Sequence, residues 1–114
     1  MITKEQWNEI LDILAVKKFS WTSESGELFR FSHPATTDVG LVYRCHANSF
    51  VSFSVNENSD SIRIGETHYQ VIKFGRNEQN KFFVYLQKIS GRHAGKSSVL
   101  TEIASIDQDT IRRN

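Results

Sequence analysis

The sequence predicts an α+β fold: an N-terminal helix, an antiparallel twisted sheet or partly closed barrel of about six strands, and a C-terminal helix. Three observations support this class. The first residues repeat apolar side chains at helical spacing, the central part of the chain alternates apolar and polar side chains between turns, and residues 97–111 return to helical spacing. Two alternatives stay open, namely a small β-barrel closed by the last helix and a sheet completed by dimerisation. With 114 residues, the chain is expected to form a single domain, 1–114.

The N-terminal helix is predicted over residues 4–17. Thr3 is its expected N-cap, and Gln6 three residues later completes a capping box, which satisfies two backbone amide donors at the helix start. The apolar residues recur at i, i+3, i+4 and i+7, and they are Trp7, Ile10, Leu11 and Leu14. They therefore form one stripe, which we expect to pack on the sheet.

Alternation of apolar and polar residues predicts two hairpins in the first half of the chain. The first covers residues 19–32 with a turn at Ser25 and Gly26, and the second covers residues 41–55. Residues 33–40 contain the only proline of the chain and are predicted to form a loop between the hairpins.

Three more segments are predicted to form strands. Residues 62–64 make a brief strand, and a turn or bulge at residues 65–66 leads into a strand over residues 68–74. That strand carries apolar side chains on both of its faces, so we expect it to bulge or to be covered on both faces. Residues 81–86 are the most continuously apolar run and predict a central strand with cover on both faces.

The last helix is predicted to start at Ser97 or Ser98, and the segment before it is similar to an anion-binding turn. Residues 90–97 follow an apolar strand and end in Gly-Lys-Ser, as a phosphate-binding P-loop does. Ser90 stands where that motif has glycine, and too few residues follow for its parallel framework. Backbone amides at a helix start still attract anions, so the candidate anion-binding residues are Arg92, Gly95, Lys96 and Ser97. The alternative is an ordinary solvent-exposed connection.

No pattern of catalytic or metal-binding residues is found. Cys45 and His46 are neighbours on a predicted strand and therefore point to opposite faces, which favours a buried, inert thiol over a nucleophile beside its base. The four histidines lack the spacing of metal ligands, and no carboxylate pair is embedded in apolar sequence. We therefore expect no catalytic residue, no metal and no cofactor.

One face of the predicted sheet is basic. If the apolar positions of the strands form the core, the opposite face collects Arg30, Ser32, Arg44, His46, Ser52, Ser54 and Arg63. Its three arginines and its histidine are the candidate partner-binding residues, because arginine binds phosphate groups and acidic protein surfaces. The alternative is the ordinary solvated face of an antiparallel sheet.

The functional hypothesis follows from the absence of catalytic and metal-binding patterns in the sequence. A net charge of +1 gives no general attraction to nucleic acid or lipid, and neither a membrane-spanning run nor an apolar signal segment is present. The single cysteine favours the reducing cytoplasm. We expect a non-enzymatic module, monomeric or homodimeric, that binds another protein as a small inhibitor, immunity protein or regulatory adaptor. The alternative is a nucleic-acid-binding module that uses the basic face, and a small-ligand carrier or an enzyme ranks lower.

Overall fold

The computed structural model describes residues 1–37, 40–45 and 49–103, which form one helix and eight strands. The helix, α1, covers Lys4–Val16. The strands are β1 (Phe19–Thr22), β2 (Leu28–Thr37), β3 (Gly40–Cys45), β4 (Ser49–Asn56), β5 (Ser61–Ile64), β6 (Thr67–Arg76), β7 (Phe82–Lys88) and β8 (Ser97–Glu102). Each strand pairs antiparallel with the next, and β8 pairs with β1, so the sheet closes into a barrel.

The predicted fold with about six strands and a C-terminal helix is wrong. Ser97–Glu102 forms the strand β8, which closes the barrel by pairing with β1 from Phe19 opposite Glu102 to Thr22 opposite Val99. The rest of the predicted helix, residues 104–111, lies outside the described residues. Because the eight described strands close on themselves, they leave no free edge that a last helix or a second copy would have to cover.

The prediction of the N-terminal helix is confirmed, together with its capping box. Gln6 N donates to Thr3 Oγ1 at 3.1 Å, and Thr3 N donates to Gln6 Oε1 at 2.9 Å. The helix ends at Val16, where Lys17 N donates to the Ile13 carbonyl at 3.0 Å. These bonds satisfy backbone groups that have no partner within the helix.

The helix closes one end of the barrel. Trp7, Ile10 and Leu14 are buried and belong to the same core cluster as the inward-facing residues of the strands. Tyr43, which points inward from β3, donates its hydroxyl proton to the carbonyl of Leu14. Three of the four residues of the predicted stripe therefore pack into the end of the barrel, where the prediction had them lying along a sheet. The fourth, Leu11, is half-buried and lies outside the core cluster.

The barrel interior is filled by side chains. An eight-stranded barrel is only wide enough for its own side chains or one small ligand. Here large aromatic rings occupy it: Phe31 lies 5.4 Å from Phe53, 5.9 Å from Tyr43 and 5.9 Å from Trp21, measured between ring centroids. The largest fully buried side chains are Trp7, Tyr43, Tyr69, Phe19, Phe31 and Phe82.

The predicted hairpins and the bulge in β6 are confirmed. The loop predicted over residues 33–40 is wrong for residues 33–37 and 40, and residues 38 and 39 lie outside the described residues. There β2 continues to Thr37, β3 begins at Gly40, and the register shifts between Ser32 and Ala35. Proline lacks a backbone N–H, and a bulge is where a strand tolerates this loss. The bulge in β6 lies between Val71 and Lys73.

The strand predicted over residues 81–86 is confirmed as β7, although its cover on both faces is not. Its alternate residues Val84 and Leu86 are buried, whereas Phe83 is only half-buried and Tyr85 is exposed on the outside of the barrel.

Among the described residues, no helix has the length and apolar composition that crossing a membrane requires.

Candidate functional site

Of the three predicted partner-binding residues that the structure describes, two lie together. Ser32 is the Cα partner of Arg44 across β2 and β3, so Arg30, two residues along β2, is a diagonal neighbour of Arg44. Arg63 lies on β5, with β4 between it and Arg44. On β4 the partner of Arg44 is Phe50 and the partner of Arg63 is Ser54, four residues further along. His46 lies outside the described residues.

Three of the predicted anion-binding residues, Arg92, Gly95 and Lys96, lie in the loop between β7 and β8. The fourth, Ser97, begins the strand β8, so the loop leads into a strand and not into a helix. Two backbone amides of the loop are already bonded within it: Gly95 N donates to Lys88 O at 2.9 Å and Lys96 N donates to His93 O at 3.0 Å. Anion binding by Arg92, Gly95, Lys96 and Ser97 stays a prediction, without the helix start that motivated it.

The outside of the barrel carries a continuous surface across five neighbouring strands. Cross-strand pairing places two adjacent rows there, and their residues all point away from the core. The first row is Leu28, Thr22, Val99, Tyr85 and Lys73, and the second is Arg30, Ser20, Thr101, Phe83 and Gly75. We call these ten residues the outer wall; at about 4.8 Å between strands, each row is about 20 Å long.

The centre of the outer wall is aromatic and apolar. Tyr85 is 41% exposed, and its ring centroid lies 5.5 Å from that of Phe83 in an edge-to-face arrangement. Lys73 Nζ lies 5.3 Å from the Tyr85 ring centroid, within the range of a cation–π contact. Two large aliphatic residues extend this apolar area, since Leu28 at the end of the first row is 57% exposed and Ile72 in the bulge beside Lys73 is 55% exposed.

The charges of the outer wall are all positive. Lys73 and Arg30 lie at opposite edges of it, and none of its ten residues is acidic. Neither Lys73 nor Arg30 belongs to an ion pair between described residues, whereas Arg76 and Lys88 on the neighbouring strands are paired with Glu102 and Glu24. Lys73 and Arg30 are therefore the charges that the outer wall itself presents to a partner.

A polar groove lies on the opposite side, around β4, β5 and β6. It has a volume of about 630 Å³ and is lined by Ser54, Val55, Asn56, Glu57, Asn58, Ser61, Arg63 and His68. Ser54 and Arg63 are Cα partners, and so are Arg63 and His68, so these three residues form one row across three strands. The groove thus offers a hydroxyl, a guanidinium group and an imidazole side by side.

The barrel end opposite the helix carries a largely buried polar cluster. Tyr69 donates its hydroxyl proton to Glu24 Oε1 at 2.7 Å, and Lys88 Nζ lies 3.5 Å from Glu24 Oε2. Burial raises the pKa of Glu24, but the hydrogen bond from Tyr69 and the charge of Lys88 outweigh it, and the pKa is lowered. Burial and the adjacent carboxylate raise the pKa of Tyr69. These partners satisfy one another, so the cluster fastens the β1–β2 turn to β6 and β7.

Cys45 is not an activated nucleophile, and the described residues offer no group of side chains for a metal centre. Cys45 points inward, and burial raises the pKa of its thiol, which lowers the fraction of reactive thiolate at neutral pH. Within residues 1–37, 40–45 and 49–103, no three His, Cys, Asp or Glu side chains lie close enough to hold a metal ion.

Comparison with protein-family models, with curated proteins and with solved structures gives no match.

Sequence reasoning missed the outer wall, although one signal pointed to it. Phe83 and Tyr85 were assigned to a strand covered on both faces, because residues 82–86 are apolar or aromatic at every position. A closed barrel has a single interior, so half of such a run has to face outward. The signal is therefore the apolar run itself: its alternate positions Phe83 and Tyr85 have to lie on the outside of a closed barrel, where they form an exposed aromatic surface.

Proposed function

We propose that this protein is a non-enzymatic interaction module that binds another protein through the outer wall. One observation carries the proposal: the row Leu28, Thr22, Val99, Tyr85 and Lys73 places apolar and aromatic side chains on the outside of the barrel. Protein interfaces have this arrangement, with an apolar and aromatic centre and a polar, charged rim. A closed barrel also presents these residues on rigid backbone, which reduces the entropy lost on binding.

The aliphatic residues favour a protein partner over a nucleic acid. Leu28 and Ile72 are exposed, and a branched aliphatic side chain has no ring on which a base could stack. Against a protein, the same side chains gain about 25 cal/mol for each Å² of apolar area removed from water.

Nucleic acid is the second candidate, and one observation favours it. Phe83 and Tyr85 lie beside Lys73 on the outer wall, and single-stranded nucleic acid is bound by aromatic rings combined with positive charge. Such binding would weaken steeply as the salt concentration rises.

The interior of the barrel does not favour a small-ligand carrier or an enzyme. Phe19, Tyr43 and Tyr69 fill the space that a ligand would need. A small inhibitor, immunity protein or regulatory adaptor is the kind of binding protein that fits a chain of this size. The buried Cys45 thiol is compatible with action in a reducing cytoplasm.

Site-specific crosslinking tests the proposal. A photoreactive phenylalanine analogue at Phe83 should crosslink one protein in a native lysate, and the same analogue at Phe50 should not. Phe50 is the matched control because it is a phenylalanine, 69% exposed, on β4 at the opposite side of the barrel.

The partner identified by crosslinking is then measured in purified form. Tyr85→Glu should weaken its binding at least about tenfold, because an apolar interface centre tolerates a buried charge poorly. Phe50→Glu should leave binding unchanged. Crosslinking from Phe50 alone would overturn the proposal, and so would equal binding by Tyr85→Glu and the parent protein. Loss of the complex on nuclease treatment would favour nucleic acid as the partner.

A further inference from the structure

We infer that the groove on the opposite side of the barrel is a binding site for an isolated phosphoryl group, with Arg63 as its central ligand. This site is separate from the outer wall, because it lies on β4, β5 and β6 and shares none of the ten wall residues. The inference therefore does not depend on the proposed function.

The row across the groove has the donors that a phosphoryl group needs. Ser54, Arg63 and His68 are successive Cα partners on three neighbouring strands. Directly opposite residues on one face of a sheet have Cβ atoms about 5 Å apart, so the three side chains reach a common ligand. Arginine supplies a planar fork of N–H donors that matches phosphate oxygens, and the hydroxyl and imidazole add further donors from either side.

The side chains of the row are unpartnered within the described part of the chain. Arg63 and His68 have neither an ion pair nor a side-chain hydrogen bond to any described residue, although both belong to a groove-lining row. They lie directly opposite each other on β5 and β6, so one ligand can contact both. A bound phosphoryl group would give the Arg63 guanidinium a charge-assisted contact and would accept a hydrogen bond from the His68 imidazole.

The lining of the groove selects a single phosphoryl group over a polyanion. Glu57 is an acidic residue of that lining, and its carboxylate limits the negative charge that the groove can accept, which disfavours the several phosphates of a nucleic-acid backbone. Asn56 and Asn58 line the same groove, and Asn56 Oδ1 already accepts from Asn58 N at 3.0 Å. Their amide N–H groups remain as neutral donors for the part of the ligand that carries the phosphoryl group.

Titration with inorganic phosphate at constant ionic strength, followed by ¹H–¹⁵N NMR, tests the inference. The largest shifts should fall on the amides around Ser54, Arg63 and His68. Arg63→Gln should weaken binding about tenfold or more, since it removes a charge-assisted hydrogen bond, which is stronger than a neutral one. Ser54→Ala should weaken it by a smaller factor, about threefold.

Arg92→Gln is the matched control, because Arg92 is an exposed arginine in the other candidate anion-binding segment. It should leave phosphate affinity at the groove unchanged. Equal affinity of Arg63→Gln and the parent protein, or shifts centred on the loop of residues 91–96, would overturn the inference. Thermal unfolding of Arg63→Gln should stay close to that of the parent protein, which shows that a loss of binding does not come from unfolding.

Two further probes distinguish the source of the phosphoryl group. A phosphoserine peptide and a single-stranded oligonucleotide are compared with inorganic phosphate at equal phosphate concentration. Binding of the peptide or of inorganic phosphate more tightly than the oligonucleotide supports the site as inferred, and identifies a phosphorylated side chain or a free anion respectively. Tighter binding of the oligonucleotide would contradict the selection of an isolated group.

Discussion

Asp60 accepts a hydrogen bond from the indole N–H of Trp7 at 3.3 Å, which fastens the first turns of α1 to the β4–β5 turn of the barrel. Its other carboxylate oxygen accepts from Ile2 N at 3.2 Å. The backbone carbonyl of Asp60 accepts from Val71 N at 2.9 Å, so the same residue also connects the turn to β6. One aspartate therefore holds together the helix, a turn and a strand.

The first prediction concerns this junction. Asp60→Ala should lower the free energy of unfolding by about 2–3 kcal/mol, because it leaves the partly buried indole N–H of Trp7 without its acceptor. Asp60 also has a positive φ of 52°, which aspartate and asparagine tolerate better than alanine. Urea denaturation is the measurement.

Asp60→Asn is the control for this junction. It keeps an acceptor oxygen and the tolerance of positive φ, so it should lose less than half as much stability as Asp60→Ala. Equal losses in the two variants would show that the negative charge, and not the bond to Trp7, is what stabilises the junction.

The second prediction tests whether α1 belongs to the core. Ile10 is fully buried, and Ile10→Ala should cost about 2–5 kcal/mol because it leaves a cavity at the closed end of the barrel. Val16→Ala removes apolar atoms from the same helix at a position that is 71% exposed, and it should change stability by less than about 0.5 kcal/mol. Urea midpoints at an unchanged slope would measure both. A small effect of Ile10→Ala would mean that the barrel folds without its helix.

The third prediction concerns the other end of α1. The hydroxyl of Tyr43 donates to the carbonyl of Leu14, one of the last carbonyls of the helix, which have no partner within it. Tyr43→Phe should therefore destabilise the protein by about 1–2 kcal/mol, since a buried carbonyl loses its donor while the ring stays in place. Thermal unfolding measures the loss, and Tyr85→Phe on the barrel exterior is the control, expected to be nearly neutral. An unchanged melting temperature for Tyr43→Phe would contradict the role given to this bond.

Local signals in the sequence predicted the elements of the fold that depend on neighbouring residues. The helix start at Thr3 and the turn at Gly26 are set by a capping side chain and by a backbone φ of +90°, and both were found. Barrel closure depends on pairing between β1 and β8, which lie far apart in the chain, and no local pattern specifies it.

The strand β8 was missed because two of its inward positions are polar. Ser98 and Glu102 are buried beside Leu100, so the strand lacks the alternation that indicates one apolar face. Glu102 is accommodated by distant partners: it accepts from Phe82 N at 3.0 Å, and its carboxylate lies 3.6 Å from Arg76 Nη1. Such compensation appears only once the strands have come together.

The candidate surfaces were predicted only in part, because they too depend on contacts between distant parts of the chain. Alternation correctly placed Arg30, Arg44 and Arg63 on outward-facing positions. It could not show that the curvature and pairing of the barrel separate Arg63 from the other two, because this depends on register across several strands.

The fourth prediction is a loss of stability in acid that depends on Glu24. Its pKa is lower in the folded protein than in the unfolded chain, so the folded state gives up this proton more easily. The stabilisation is therefore fully present above the ordinary carboxyl pKa of about 4.3, and it is lost as the pH falls through the lower, folded value. The free energy of unfolding of the parent protein should fall between about pH 5 and pH 3 more steeply than that of Glu24→Gln.

The parent-minus-variant difference isolates this group from the other carboxylates, which titrate in both proteins. Tyr69→Phe removes one of the bonds that lower the pKa of Glu24, so its acid dependence should lie between those of the parent and Glu24→Gln. At neutral pH the same variant should lose about 1–3 kcal/mol, because the hydroxyl donates to a charged acceptor. Urea denaturation at a series of pH values gives both results. Parallel curves for the parent and Glu24→Gln would show that the Glu24, Tyr69 and Lys88 cluster does not distinguish the ionised carboxylate from the neutral one.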